Sequence, residues 1–265
     1  MSDINSILIV GCGNMGGAML AGWLAGGLDP ARFTVVDPVL PDAPPGVTLL
    51  RELPAGRFDA ILLGVKPQLL GDVAPRLEAL AGPEATVLSI LAGVELSSLA
   101  VRFPRAKALV RVMPNLAAAI GKSPIALAGQ GLDQPGRDDV SALMAPLGTP
   151  EWIDEAMFDL VTALVGSGPA FVYRFIDALA AGATELGMEA GQAERFALAM
   201  VQGAGALAAA SGSAPADLAD RVASPGGTTR AGLNVLDTEA ALTTLIAATL
   251  RAARDRGAEL AELAR

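Results

Sequence analysis

The first half of the chain alternates short β-branched apolar runs with segments of helical periodicity. The runs predict strands at residues 7–10, 33–36, 60–65, 86–90 and 108–112. Between the first two runs, Met15, Met19 and Trp23 fall at helical spacing, and Gly26-Gly27 follows them. Strands that alternate with helices are typical of a parallel sheet with helices on both faces. We therefore predict a doubly wound α/β fold, with edge strands at 125–127 and 151–153 and a helix at 140–145 between them.

After Asp154 the pattern changes to helices alone. Helical periodicity predicts elements at residues 156–165, 169–186, 192–210, 214–222, 229–236 and 238–263. We place a domain boundary here, with residues 1–154 as the α/β domain and residues 155–265 as an all-α domain. These helices are rich in alanine and apolar on several faces, so they need cover on most sides. The pattern predicts a homo-oligomer built through the C-terminal helices.

The composition narrows the class of protein. The 265 residues are 52% hydrophobic and 18% charged, which is enough apolar material for a substantial core. The 19 Lys and Arg against 28 Asp and Glu give a net charge of −9, which argues against a nucleic-acid partner. The chain has no histidine. This excludes imidazole as nucleophile partner, zinc ligand, acid or base, and we predict no metal site.

Two uncharged stretches, residues 4–28 and 196–216, are long enough to suggest membrane spans. Both contain glycines and polar residues that a span disfavours. A secretory signal is not indicated, because Asp3 precedes the first stretch and the first basic residue is Arg32. The single cysteine, Cys12, cannot form an intramolecular disulfide and is expected to be a small filler residue. We predict a cytoplasmic protein without membrane association.

The first predicted strand runs into Gly11-Cys12-Gly13-Asn14-Met15-Gly16, a GxGxxG pattern at the start of a helix. In this context the pattern indicates a Rossmann-type dinucleotide-binding domain. Gly11 allows a tight turn, Gly13 lets the backbone approach a diphosphate, and Gly16 allows close packing of helix and strand. The free N–H groups at the helix start, around Asn14 and Met15, would face the diphosphate. The alternative is an ordinary glycine turn.

Asp37 lies 21 residues after Gly16, at the end of the second predicted strand. A carboxylate there can accept hydrogen bonds from an unmodified ribose and would repel a 2′-phosphate. No Arg or Lys occurs in the following loop, residues 38–46, to neutralise such a phosphate. NADH is therefore favoured over NADPH as the cofactor. The alternative is that Asp37 is a turn residue before Pro38.

Two further turns each open a predicted helix. Ser224-Pro225-Gly226-Gly227-Thr228-Thr229 would present helix N–H groups and hydroxyls, which together bind a carboxylate. The alternative is helix capping by Ser224 or Thr228. Gly166-Ser167-Gly168-Pro169 lets the backbone or a ligand come close, and its alternative is a helix–helix elbow.

Two loops of the first half follow apolar strands, Val65-Lys66-Pro67 and Met113-Pro114-Asn115. They are expected at the carboxyl edge of the sheet, where ligands of open α/β sheets bind. A solvated loop charge is the alternative for Lys66.

Four motifs resemble those of the pyrroline-5-carboxylate reductase family, in the family's order and across nearly the whole chain. They are Gly64-Val65-Lys66-Pro67-Gln68, Arg111-Val112-Met113-Pro114-Asn115, Gly166-Ser167-Gly168-Pro169-Ala170-Phe171 and Ser224-Pro225-Gly226-Gly227-Thr228-Thr229. The resemblance implies reduction of a cyclic imine to L-proline with NADH or NADPH. It also implies a Rossmann domain followed by an all-α dimerisation domain, with a dimer through the C-terminal helices and a decamer of five dimers as a further arrangement.

The resemblance also implies roles for individual residues. Thr229 would be catalytic, with its hydroxyl bonded to the ring nitrogen of the substrate, while Ser224, Gly227 and Thr228 would hold the substrate carboxylate. Glu155 and Ser167 would line the substrate site. The residues that would contact the cofactor are Val65, Lys66, Pro67, Ala92, Pro114 and Asn115. For Glu155 an exposed surface charge is the alternative.

The expected chemistry suits a chain without histidine. A cyclic imine can be protonated from solvent, so positioning supplies much of the catalysis of hydride transfer. Leu116-Ala117 and Val165 depart from the family's usual residues and leave room for a related imine as substrate.

Two alternative functions stay open. A related imine reductase would use the same cofactor, and a non-catalytic NAD-binding sensor would share the fold without turnover. A β-hydroxyacid dehydrogenase also resembles this chain around Gly166-Ser167-Gly168, but that family needs a catalytic lysine four residues after the last of these glycines. This chain has Val172 at that position, so this function is disfavoured.

Overall fold

The computed structural model describes residues 3–264, which form two compact units. The first unit runs to Ser167 and includes the chain from Ala252 onward, and the second spans Gly168–Arg251. The predicted fold class is confirmed: a mostly parallel sheet with helices precedes a helical C-terminal region.

The first unit contains an eight-stranded sheet in the order β3-β2-β1-β4-β5-β6-β7-β8. The strands are β1 Ile7–Val10, β2 Phe33–Val36, β3 Thr48–Leu50, β4 Ala60–Leu63, β5 Thr86–Ser89, β6 Ala108–Met113, β7 Ser123–Gln130 and β8 Gly148–Trp152. Strands β1 to β6 are parallel, whereas β7 is antiparallel to β6 and β8 is parallel to β7. All five main predicted strands are present, and β3 is an addition to the prediction.

The direction of β7 follows from its short connection to β6. Residues Leu116–Ile120 form a 3₁₀ helix that ends at Gly121, which has a φ of 66°. A connection this short joins antiparallel neighbours, because a parallel crossover needs a dozen or more residues. The sheet is therefore mixed at this edge.

Helices cover both faces of the sheet. The helices of the first unit are α1 Asn14–Ala25, α2 Leu70–Leu77, α3 Leu96–Arg102, α4 Gln134–Met144 and α5 Phe158–Val161. Successive residues of β1 alternate between two cores: Ile7 and Ile9 pack with α1 and α4, and Leu8 and Val10 pack with α2 and α3. A strand buried on both faces is the arrangement expected for a doubly wound sheet.

The second unit is helical. Its helices are α6 Gly168–Glu185, α7 Ala190–Ser211, α8 Pro215–Arg221, α9 Thr228–Asp237 and α10 Ala241–Ala264, which continues into the first unit from Ala252. The periodicity located each of them to within three residues at either end. Between α9 and α10, Glu239 and Ala240 have left-handed backbones, with φ of 51° and 55°.

Large apolar side chains are exposed on the helices of the second unit. Two helical stretches within residues 3–264 are long and apolar enough to cross a membrane, Glu155–Glu185 and Thr228–Glu259. The pair Ala190–Ser211 and Pro215–Arg221, bent by 115°, would be a third if it formed one span. Only 11% and 0% of the apolar windows of the two stretches are buried. Residues 4–28, in contrast, hold the buried strand β1 and helix α1.

Candidate functional site

The glycine pattern forms the turn between β1 and α1. Gly11 has a φ of 85°, and a Cβ atom on it would lie 2.7 Å from the backbone nitrogen of Val65. A Cβ atom on Gly16 would lie 2.9 Å from the carbonyl oxygen of Gly11. Both positions therefore require glycine for reasons of space. At Gly13, in contrast, no atom lies within 4 Å of a built Cβ atom, so its backbone faces open space.

Helix α1 begins without a side-chain cap. Its N-cap is Gly13, and its first turn contains no acidic residue. The N–H groups at Asn14 and Met15 therefore have no side-chain acceptor at this end, where the helix dipole favours an anion. This start of α1 beside open space fits the diphosphate of a dinucleotide.

Asp37 is buried beside this turn, with 7% of its surface exposed. One carboxylate oxygen accepts a hydrogen bond from the Cys12 N–H at 2.8 Å, and the other accepts from the N–H groups of Val39 and Leu40. Burial by itself raises the pKa of Asp37, but these three bonds and the charge of Arg51 outweigh it and lower the pKa. Asp37 therefore carries a fixed negative charge and holds the glycine turn in place.

Arg51 is a residue that the sequence reasoning missed. It follows β3, and its guanidinium donates hydrogen bonds to the carbonyl oxygens of Asp37, Leu40 and Pro41. The prediction considered cations only within residues 38–46, whereas this cation reaches the loop from the next strand. A short, half-exposed strand gave little signal for its position.

A cavity of about 220 Å³ opens beside Gly11 at the carboxyl ends of β1, β2 and β4. Its wall includes the apolar residues Leu53, Val65, Leu69 and Val73 and the charged residues Arg51, Glu52 and Arg76. An apolar wall with a few charged groups is typical of a small-molecule site.

The other predicted cofactor residues follow neighbouring strands. Val65, Lys66 and Pro67 follow β4, Ala92 follows β5, and Pro114 and Asn115 follow β6. Because β1, β4, β5 and β6 are parallel, their carboxyl ends lie at one edge of the sheet. Lys66 and Ala92 are exposed, whereas Pro114 and Asn115 are buried.

Cys12 does not have the properties of a nucleophile. It is buried, and burial together with the charge of Asp37 raises the pKa of its thiol to about 11. The thiol is therefore protonated near neutral pH. Among residues 3–264, no group of three or more His, Cys, Asp or Glu side chains is arranged to hold a metal ion.

Glu155 lies at the end of the sheet rather than free in solvent. Its Oε1 accepts hydrogen bonds from the Leu96 N–H at 2.7 Å and from Nη1 of Arg111 at 3.0 Å. Arg111 is buried in β6, and its guanidinium lies 3.8 Å from the centre of the Phe158 ring. The position of Arg111 inside the apolar run of β6 indicated a buried charge that needs a partner, but the sequence did not indicate that Glu155 is this partner.

The turn before Gly168 lies in the first unit. Thr162–Gly166 forms a π-helical turn, a feature that is frequent at functional sites. The Ser167 N–H donates to the Thr162 carbonyl at 3.1 Å. Ser167 is half-buried at the end of this turn.

The Ser224 to Thr229 run lies in the second unit and opens α9. Gly227 is the N-cap of α9, with no side-chain cap bond, and its N–H donates to the Ser224 carbonyl at 3.0 Å. A Cβ atom on Gly227 would lie 2.6 Å from Oγ of Ser224. Thr228 and Thr229 are exposed in the first turn of α9. The arrangement offers free N–H groups and hydroxyls to an anion.

Comparison with known proteins identifies the family. The family model described as pyrroline-5-carboxylate reductase dimerisation matches residues 155–260. The pyrroline-5-carboxylate reductase of Methanosarcina acetivorans is 34% identical over 95% of this chain and 96% of its own length.

Solved structures agree as well. A pyrroline-5-carboxylate reductase structure from Coxiella burnetii has a TM-score of 0.89 and 28% identity, covering 97% of this chain and 99% of that one. The Plasmodium falciparum pyrroline carboxylate reductase with NADP bound has a TM-score of 0.83 at 21% identity, over 98% and 99% of the two chains, and supports the fold. The full-length identity and the matching domain model show that this chain belongs to the pyrroline-5-carboxylate reductase family.

Proposed function

We propose that the chain reduces the C=N bond of 1-pyrroline-5-carboxylate to give L-proline, the last step of proline biosynthesis. It is an NAD(P)H-dependent oxidoreductase of the Rossmann class. The observation that carries the proposal is the uncapped start of α1 with open space at Gly13, in a chain whose full-length relatives are named for this reaction. The related imine reductase and the non-catalytic sensor are not favoured.

The proposed cofactor residues surround the carboxyl ends of β1, β2, β4, β5 and β6. They are Gly11, Gly13, Asn14, Met15, Gly16, Asp37, Val65, Lys66, Pro67, Ala92, Pro114 and Asn115, where Asn115 belongs to the site as part of the loop after β6 and not through a bond from its side chain. The N–H groups at the start of α1 bind the diphosphate, and the apolar wall beside Gly11 receives the adenosine. When bound, the cofactor supplies a hydride to the C=N carbon.

We propose that NADH is preferred over NADPH. The negative charge of Asp37 would repel a 2′-phosphate, and three backbone hydrogen bonds hold this charge beside the glycine turn. Arg51 and Arg76 lie at the same cavity and reduce this repulsion. We therefore expect NADPH to be used less efficiently but not to be excluded.

The substrate is a small molecule, and its carboxylate is proposed to bind at the start of α9. Ser224 and Thr228 supply hydroxyl groups there, and Gly227, the N-cap, leaves the free N–H groups of the first turn of α9 open to the carboxylate. The Thr229 hydroxyl is proposed to hydrogen-bond the ring nitrogen, where it can hold or pass on a proton. Ser167 and Glu155 are proposed to line the substrate site, Glu155 with a carboxylate that Arg111 already binds.

The chain forms homo-oligomers, and we propose a dimer through the C-terminal helices, with five dimers in a decamer as the larger arrangement. The partner copy, rather than a membrane or a nucleic acid, would cover the exposed apolar helices. We propose a cytoplasmic location. The proposed domains are 1–154 and 155–265, and the family model begins at residue 155.

The test is oxidation of NADH and of NADPH by the purified protein with 1-pyrroline-5-carboxylate. We expect turnover that is faster with NADH, and a loss of about 100-fold or more in kcat/KM for Thr229→Ala. The exposed Thr149 of β8 offers a matched control, and Thr149→Ala should retain full activity. Tight NADH binding without turnover would instead support the sensor.

A further inference from the structure

Two motifs that lie 50 residues apart in sequence are in direct contact within the first unit. Nδ2 of Asn115 donates a hydrogen bond to the carbonyl oxygen of Val165 at 3.1 Å. The sulfur of Met113 lies 3.2 Å from the place of a Cβ atom on Gly166. The loop after β6 and the turn that carries Ser167 therefore pack as one piece.

Asn115 has its polar atoms engaged inside the protein. Oδ1 accepts from the Ala117 N–H at 2.9 Å, the backbone N–H donates to Oγ of Ser123 at 2.9 Å, and the carbonyl oxygen accepts from the Ala118 N–H at 3.0 Å. Only 5% of its surface is exposed. A side chain in this state is poorly placed to bind a ligand, and its contacts join the loop to the turn.

The carbonyl of Val165 needs such a donor for a reason that lies in the sequence. In a continuing α-helix it would accept from the backbone nitrogen of residue 169. That residue is Pro169, which has no N–H to donate. A half-buried carbonyl without a partner is costly, and the amide side chain at residue 115 gives it a donor that Pro169 cannot supply.

We propose that Asn115 is a positioning residue: through Val165 it fixes Ser167 relative to the loop after β6. The inference rests on the proposed function, since Ser167 is a proposed substrate residue and the loop belongs to the proposed cofactor site. Asn115 thus serves catalysis by geometry and not by a side-chain bond to the cofactor.

Asn115→Asp tests this inference, because it keeps the size and the acceptor for Ala117 but replaces the donor to Val165 with an oxygen. We expect kcat with 1-pyrroline-5-carboxylate to fall about 10- to 100-fold, since small misplacements near reacting groups have effects of this size. The Kd of NADH, measured without substrate, should stay within about twofold. Asn5→Asp is a matched control, since Asn5 is exposed and its Nδ2 donates to the Asp3 carbonyl.

A second readout does not depend on activity. Amide hydrogen exchange across residues 162–167, measured without substrate, should quicken about tenfold in Asn115→Asp and not in Asn5→Asp. Unchanged exchange would overturn the inference whatever the turnover, and so would a wild-type kcat. A parallel rise in the Kd of NADH would show that Asn115 binds the cofactor directly.

Should Asn115→Asp fail to fold, Asn115→Ser replaces it in the same measurements, since the shorter serine side chain cannot reach the carbonyl oxygen of Val165. An inactive wild-type enzyme would count against the proposed function, whereas the exchange experiment would still decide the role of Asn115.

Discussion

Gly13 is the N-cap of α1 and Gly22 lies inside the same helix, but the surroundings of the two glycines differ. A Cβ atom on Gly13 would meet no atom within 4 Å, whereas one on Gly22 would lie 2.0 Å from the carbonyl oxygen of Ala118. One glycine is therefore open to a ligand, and the other is required by packing.

Substitution by alanine should separate these two roles. Gly13→Ala should change the free energy of unfolding by no more than about 0.5 kcal/mol, while the Kd of NADH rises at least about tenfold because the new methyl group faces the diphosphate. Gly22→Ala should lower the free energy of unfolding by about 1–3 kcal/mol through overpacking. Urea unfolding and fluorescence titration with NADH measure both. A Kd of NADH equal to that of the wild type in Gly13→Ala would show that the diphosphate does not bind at this turn.

Asp37 makes stability depend on pH. Its pKa is lowered in the folded state, so the ionised carboxylate stabilises the fold above the ordinary pKa of aspartate. This contribution is lost as the pH falls through the ordinary value and then through the folded-state value. Asp37→Asn should therefore be less stable than the wild type at pH 7, by about 1–3 kcal/mol.

The difference between the two proteins should shrink below about pH 4, where aspartate in the unfolded chain becomes protonated. Urea unfolding at pH 7 and at lower pH measures it. Asp42→Asn, at an exposed aspartate of the following loop, is the control and should not alter the pH dependence. If the stability difference between the wild type and Asp37→Asn stayed constant across this pH range, the lowered pKa of Asp37 would be contradicted.

At the scale of elements, Glu155 connects the turn before α5 to β6 through its ion pair with Arg111 and to the start of α3 through the Leu96 N–H. Burial lowers the pKa of Arg111, while the hydrogen bond and charge of Glu155 act in the opposite direction. Glu155→Gln would leave the guanidinium buried without its partner charge. We expect the free energy of unfolding to fall by about 2 kcal/mol.

A second substitution distinguishes the pair from general packing. Arg111→Met combined with Glu155→Gln should be less destabilising than the sum of the single substitutions, because no unpaired charge remains. Glu151→Gln, at an exposed neighbour on β8, should have little effect on urea unfolding. Strict additivity would show that the two side chains are not energetically coupled.

At the scale of the whole molecule, the exposed apolar side chains of the C-terminal helices are the proposed contact between copies of the chain. Leu245 of α10 is 64% exposed in the single chain, and the dimerisation model covers this region. Leu245→Glu places a charge on a surface that a partner copy would bury, so we expect a shift from dimer to monomer in light scattering. Val101 of α3 is 80% exposed in the first unit, and Val101→Glu should leave the mass unchanged. An unchanged mass for Leu245→Glu would exclude this part of α10 from the interface.

Much of the architecture followed from local patterns in the sequence. The parallel strands, the glycine turn before α1 and the helices of the second unit each depend on periodicity or on residues close together in the chain. The short strand β3 and helix α3 escaped prediction because three to seven residues give little periodicity. The π-helical turn at Thr162–Gly166 was predicted as ordinary helix, since its apolar spacing is similar.

By itself, the sequence determined the fold class, the glycine turn before α1 and the family, because these depend on spacing and on backbone preferences of glycine and proline. Only the tertiary structure decided the direction of β7 and the partners of Asp37, Arg111 and Asn115. The Asp37 carboxylate accepts from Cys12, 25 residues away, while Arg111 and Asn115 donate to Glu155 and Val165, 44 and 50 residues away. Buried charges and amides are satisfied by whichever groups the sheet brings near them, and no local pattern specifies that choice.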